Sequence, residues 1–360
     1  MVKALGRLVV FAVVVLLGAA WAPPAALAKK QKVYEVKFAW NNAFGPLSRS
    51  SQIYRPGGEF DRMLAERSGG RLRLKVIERM VPGKEIFKAV ATGIADMGDV
   101  PMPSMSGTYP IWNWGEIADV VDSDPRVGVL EEQAIFSDPE VRKLYNKTLG
   151  KFGLRFVMAS QWNGNSGIWT KHEIKSMDDL KGLKVRANGY LPTVALKGLG
   201  TSPVTLAGSE ITAAVMSGTI DAVLAGINYG VLTLGLPRFT PYYTHIPTTP
   251  TWSEVCVVNK RFYDKLPADL QKVLDEVGRE VSAMVAYAAT AEYTFGVKLL
   301  ELSGAQRMNL PETVATEARA ATSVVEQEWL AMEGPFKADR PAMLKAVRAA
   351  VEKHRAFEAR

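Results

Sequence analysis

The sequence predicts an α/β protein of two similar lobes, with one long helix lying across both. Three observations carry this. First, Glu85-Ile-Phe-Lys-Ala-Val-Ala-Thr-Gly-Ile-Ala-Asp96 and Glu210-Ile-Thr-Ala-Ala-Val-Met-Ser-Gly-Thr-Ile-Asp221 superpose without a gap, Glu, Ile, Ala, Val, Gly and Asp recurring at one offset of 125 residues. Second, short apolar strands alternate with helical patterns, which implies layered α/β structure with mostly parallel pairing. Third, Leu270, Leu274, Val277 and Val281 begin an apolar stripe that continues toward Leu302, where Ser303-Gly304 closes it.

The elements follow in order. Met1 to Arg7 carry Lys3 and Arg7, Leu8 to Ala20 are apolar apart from Gly18, and Ala26-Leu27-Ala28 is a small-x-small cleavage site. These are the three regions of a secretory signal peptide, so residues 1–28 are expected to be removed on export. Glu59 to Arg67 puts Phe60, Met63 and Leu64 on one face before Ser68-Gly-Gly70 ends the helix, and Arg71 to Val76 follows as a strand. In each copy of the repeat, apolar residues at helical spacing lead to a glycine suited to a left-handed helix terminus, then to an Asp that opens an apolar strand. Leu183 to Arg186 reads as a strand, Thr193 to Leu199 as a helix, and Ser202 to Leu206 as a further strand. Pro267 marks a helix start. The expected division is 29–160 plus about 252–290 for lobe I, and 161–251 plus about 291–360 for lobe II with the C-terminal helices.

Composition excludes several function classes. The formal net charge is +7, but basic residues are interspersed with acidic ones, as in Arg62-Met-Leu-Ala-Glu-Arg67, and form no stripe for nucleic acid. Cys256 is alone, so no internal disulfide forms, and its apolar run Val255 to Val258 predicts a buried, inert thiol. The three histidines, at 172, 245 and 354, lack metal-ligand spacing. No cofactor is expected.

Several segments in order, Leu64–Leu72, Ala91–Gly98, Asp178–Arg186, Ser217–Asp221, Val258-Asn-Lys260 and Asp264–Pro267, resemble the extracytoplasmic solute-binding proteins of tripartite ATP-independent periplasmic (TRAP) transporters. The resemblance covers most of residues 33 to 300. It implies a two-lobed periplasmic-binding-protein fold with crossing hinge strands and a long helix spanning both lobes. It also implies a ligand held between the lobes and delivery to TRAP transporter membrane subunits. Within the Gly-Leu-Lys-Val-Arg pattern it assigns Arg186 to the carboxylate of a small organic acid, a role that suits a planar guanidinium able to donate two parallel hydrogen bonds. Many members carry a second arginine at a position matching Gly167 or Ser166, and an asparagine after the Asp of the second-lobe strand. Here the first is absent and Asp221 to Gly226 is apolar, which argues against a dicarboxylate or a sialic-acid-like ligand.

Candidate wall residues are aromatics and amides in loops after strands: Trp40, Asn41, Asn42 and Phe44, then Trp112 and Trp114, then Trp162, Asn163 and Asn165, and finally Trp252. As a set they point to an apolar cage around one carboxylate, hence to an aromatic or otherwise apolar monocarboxylate. Two other readings remain open: a sensor subunit of the same fold that signals to a receptor, and a secreted hydrolase using the Gly164-Asn-Ser-Gly167 turn with His172 or His245.

Overall fold

A computed structural model describes residues 31–40, 49–162, 167–187, 189–206, 208–246 and 252–359. The signal-peptide expectation falls on residues outside these. Among the described residues no helix is long and apolar enough to cross a membrane.

Eleven described strands form two sheets. β1 (Tyr34–Trp40), β2 (Leu72–Glu78), β3 (Met97–Pro101), β4 (Leu154–Trp162) and β10 (Trp252–Asn259) make lobe I, in the order β2-β1-β3-β10-β4. β5 (Gly167–Thr170), β6 (Lys184–Ala187), β7 (Ser202–Thr205), β8 (Ala222–Ala225), β9 (Tyr242–His245) and β11 (Gln306–Asn309) make lobe II, in the order β11-β9-β5-β8-β6-β7. The chain crosses from lobe I to lobe II between β4 and β5 and returns between β9 and β10.

Strand polarity fixes which edges face each other. β10 runs antiparallel to both β3 and β4, and β1 is parallel to β3, so β1, β3 and β4 all end on the edge where the chain leaves for lobe II. In lobe II, β5 starts at that crossing and runs antiparallel to β8 and β9, while β6 is parallel to β8. Hence β6, β8 and β9 also end at the crossing. The carboxyl ends of six strands, where α/β sheets gather their ligands, thus converge between the lobes.

The repeated segments occupy equivalent places. Helices Gly83–Thr92 and Ile211–Met216 lead to Gly93 (φ 82°) and Gly218 (φ 73°), left-handed positions that favour glycine. In lobe I the Asp96 carboxylate accepts from the Lys37 amide at 2.9 Å, and its own amide donates to the Lys37 carbonyl. In lobe II the Asp221 carboxylate accepts from the Lys184 amide at 3.0 Å, with the same return bond. Each aspartate therefore clamps the strand beside its own.

The long helix, Ala268–Leu302, runs 35 residues. Its first half buries Leu270, Leu274, Val277 and Val281 against Phe38, Phe60 and Met158 of lobe I, and its last turns bury Tyr293 and Leu300 with Trp169 and Tyr243 of lobe II. At roughly 1.5–3 kcal/mol per buried apolar side chain, it ties each core to the same rod.

The chain's end departs from the expected division. Helix Glu312–Thr322 packs on lobe II through Ala315 and Ala318, but helices Val324–Ala331 and Arg340–Glu358 bury Val325, Trp329, Met343 and Val347 in the lobe I core. Trp329 Nε1 donates to the Pro110 carbonyl at 2.6 Å, and the buried Arg340 guanidinium donates to the Trp329 carbonyl at 2.8 Å. Helix Arg340–Glu358 therefore belongs with lobe I rather than lobe II, and helix Val324–Ala331 bridges the two, packing also on helix Tyr190–Gly198 of lobe II.

Candidate functional site: a buried arginine at the interlobe edge

Arg186 is the next-to-last residue of β6, whose carboxyl end lies on the interlobe edge. Its neighbours Val185 and Ala187 point to one sheet face, into the cluster of Leu180, Leu196 and Ala318. Alternation turns Arg186 to the other face, registered between Val204 of β7 and Val223 of β8. The side chain is only 5% exposed. Its Nε donates to the Leu206 carbonyl at 3.2 Å. Among the described residues no carboxylate lies in ion-pair range of it. Burial lowers its pKa, and the neighbouring Tyr229 opposes that shift.

Tyr229 sits in the π-helical turn Tyr229–Thr233 that follows β8, and sequence patterning gave no sign of it. Burial raises its phenol, while the Arg186 charge lowers it, which marks the two as neighbours. A Cβ on residue 208 would lie 2.6 Å from the Tyr229 hydroxyl, so Gly208 leaves the room in which that ring lies.

The lobes touch beside this point. The Tyr190 amide donates to Ser106 Oγ at 3.4 Å, and the Tyr190 hydroxyl donates to Glu328 at 2.6 Å. A side chain at Gly189 would come within 3.3 Å of the Pro103 carbonyl. The backbone leaving Arg186 thus rests directly on lobe I.

Of the two positions matched to the second arginine of many TRAP-type proteins, Ser166 lies outside the described residues and Gly167 is filled. A Cβ at Gly167 would stand 2.4 Å from the Tyr243 ring and 2.6 Å from the Thr244 carbonyl. Since Tyr243 is fully buried in the lobe II core, an arginine there would have to displace core packing.

Across the crossing, lobe I carries a buried polar knot. Asp99 of β3 accepts from Ser160 of β4 and, at 3.8 Å, from the Cys256 thiol of β10, and it shares a hydrogen bond with Glu254. Burial pushes Asp99 up to about 6 and Cys256 well above the ordinary thiol range. Cys256 is accordingly the buried, inert thiol that its sequence context predicts. Among the described residues no group of three His, Cys, Asp or Glu side chains could hold a metal ion.

The expected wall residues divide. Trp40 ends β1, buried and stacked on Tyr54 at 4.8 Å. The expectation for Trp112 is corrected: it packs against Phe152, which precedes the start of β4 on the edge away from lobe II, and its Nε1 donates to Thr148 at 2.9 Å. Trp114 is likewise core, donating to Tyr145 at 3.0 Å. Both are packing residues because a loop aromatic with a polar partner inside the lobe has no reason to face the cleft. Asn41, Asn42, Phe44, Asn163 and Asn165 lie outside the described residues, as do the side chains of Trp162 and Trp252. The backbones of the latter two pair with each other at the interlobe edge.

With this geometry in hand, comparison with known proteins is direct. Residues 47–332 match the family model described as bacterial extracellular solute-binding protein, family 7. The chain belongs to that family. A relative from Nostoc sp., a monocarboxylate 2-oxoacid-binding periplasmic protein, is 27% identical over 217 residues, covering 58% of this chain and 57% of the relative. Among solved structures, an extracytoplasmic solute receptor of Bordetella pertussis that binds pyroglutamic acid superposes with a TM-score of 0.76 at 22% identity, covering 88% of this chain and all of that one. A TRAP periplasmic solute-binding protein of Pseudoalteromonas atlantica, with bound sodium and pyruvate, gives 0.74 at 24% identity, covering 91% of this chain and 96% of its own. These establish the two-lobed solute-binding fold for this family 7 chain.

Proposed function

We propose that this family 7 protein is the exported, periplasmic component of a TRAP transporter, which closes its lobes on a small organic carboxylate and delivers it unchanged to membrane subunits. One observation carries the reading: Arg186 is buried at the interlobe edge without a carboxylate partner among the described residues. Holding a cation out of water without a counter-ion costs several kcal/mol, and an arriving anion relieves that cost. The arginine is thereby prepared for a ligand rather than for the fold.

The carboxylate is that of a monocarboxylic acid with an apolar body. The filled space at Gly167 favours one charged anchor over two, and Arg186 stands in register between Val204 and Val223, which belong with Leu206 and Tyr229 to the apolar cluster on that side of the lobe II sheet. The Nostoc relative, whose name specifies monocarboxylate 2-oxoacids, supports the same class. Residues Asn41, Asn42, Phe44, Trp162, Asn163, Asn165 and Trp252 complete the cleft in this reading, since they follow or begin strands that meet the interlobe edge. Nothing in this scheme requires bond chemistry, so the protein acts by capture alone.

A thermal-shift screen of the mature chain against aliphatic, 2-oxo and aromatic monocarboxylates, dicarboxylates, sugar acids and neutral analogues tests the reading. A monocarboxylate at 100 times its Kd should add ~2.7 kcal/mol of stability. Stabilisation by neutral compounds alone would refute the carboxylate.

A further inference from the structure

The outer face of the long helix is built to be covered. From Val281 to Val297 the only charged residue is Glu292, and it is buried. On the solvent side, Tyr287 is 69% exposed, Phe295 44% and Leu302 73%. Large apolar side chains exposed singly are ordinary, but these three lie on one stripe of one helix.

The spacing of the stripe, though not its residue types, is the same from either end. Tyr287 and Phe295 stand four residues to either side of Ala291. Met284 and Lys298 stand seven residues to either side, and Glu280 and Leu302 eleven. The successive spacings are 4-3-4-4-3-4, the alternation of a helix-packing seam, and they form a palindrome about Ala291. At 100° per residue the whole set falls within an arc of about 80°, opposite the buried Val285, Ala289 and Leu300.

We propose that a second copy of this chain docks on this seam, antiparallel, with the twofold axis at Ala291. An isologous contact requires one patch to complement itself, and a palindromic seam does so. Tyr287 then meets Phe295 of the second copy, and the small Ala291 lets the helices approach at the axis. Glu280 comes level with Leu302 of the second copy and one turn from its Lys298, within reach of that long side chain, so opposite charges flank the aromatic centre at both ends. Both charged groups are exposed, at 46% and 66%, and their present partners, Arg67 and Glu301, form only surface pairs.

The seam extends about 33 Å along a helix roughly 10 Å wide, a smaller footprint than the ~800 Å² per partner of a standard interface. The dimer is therefore concentration-dependent. Because the seam starts over lobe I and ends over lobe II, each copy braces both lobes of the other.

Sedimentation equilibrium of the full mature chain, from micromolar to submillimolar concentration, tests this. The expected result is a mass rising from monomer to dimer. Tyr287→Glu and Phe295→Glu should each weaken dimerisation at least ~10-fold, with melting temperature unchanged because both side chains are exposed. Glu280→Lys and Lys298→Glu should each weaken the dimer, and the double reversal should restore it. A monomer at every concentration would overturn the proposal, as would a dimer indifferent to all four substitutions. So would a monomer whose Tyr287→Glu variant loses only its binding to transporter membrane subunits, which would assign the seam to them.

Discussion

The Nε of Arg186 donates to the Leu206 carbonyl at 3.2 Å, which pins one edge of a guanidinium that has no carboxylate partner among the described residues. A main-chain acceptor fixes orientation without neutralising charge. The arginine is thus aimed and left positive, two properties that a ligand-binding cation needs and a structural ion pair lacks.

Tyr229 is the first neighbour to test. Tyr229→Phe keeps the ring beside Arg186 and removes its hydroxyl, so ligand affinity should fall less than ~10-fold, about one hydrogen bond's worth, with melting temperature unchanged. Gly208→Val touches no ligand in this account. Its Cβ would collide with the Tyr229 hydroxyl at 2.6 Å, so it should weaken binding by displacing the ring. Fluorescence titration of both variants checks this. Unaltered affinity in Gly208→Val would show that the ring's position is unimportant.

Gly296 tests the long helix as a tie between lobes. An added Cβ would lie 2.2 Å from Asn228 Oδ1 and 3.2 Å from Ile227. Alanine is about 1 kcal/mol better than glycine in a helix, whereas forcing atoms into a packed contact costs about 1–3 kcal/mol. Gly296→Ala should therefore destabilise the protein on balance. Urea denaturation measures the sign, and a stabilised variant would mean the contact yields freely.

A buried carboxyl and a half-buried imidazole give opposite pH trends. Asp99 is raised from 3.8 to about 6, first by burial, so the folded state keeps a proton that the unfolded state has lost. Its contribution to stability falls as pH rises from about 4 to about 6 and is flat above. His245 is lowered from 6.5 to about 4, first by burial and then by Arg307, so the unfolded state takes up the proton first. Its contribution falls as pH drops from 6.5 toward 4. The trends oppose each other in the unaltered chain, so they must be read as differences. Relative to it, Asp99→Asn should gain stability as pH rises through 4 to 6, and His245→Gln should gain as pH falls from 6.5 to 4. Denaturation across this range gives both slopes, and pH-independent differences would contradict the assignment.

Much of the fold was legible because its signals are local. The glycines at 93 and 218, the aspartates after them and the stripe from Leu270 to Val281 each report a turn, a strand start or a helix face within a few residues, although Leu302, expected to continue that stripe, is exposed. The two Asp clamps on Lys37 and Lys184 turn the sequence repeat into a shared structural device. What was not legible is non-local. Amphipathicity shows that Met343 and Val347 face a core but not which lobe supplies it, and lobe I does. Trp112 looks like a wall residue only until Phe152 and Thr148 are placed around it. Tyr229 stands in a π-helical turn, and no residue pattern marks its approach to Arg186. Arg186 itself was found through its motif, yet its burial and its main-chain tether needed the sheet.

Titration calorimetry on Arg186 variants, with the best monocarboxylate from the thermal-shift screen, tests the central claim most directly. Losing one partner of a buried ion pair costs about 3–5 kcal/mol, so Arg186→Ala should bind at least ~100-fold more weakly, and Arg186→Lys should recover only part of the loss because an ammonium cannot donate the paired bonds. Full affinity in a folded Arg186→Ala protein would contradict the account.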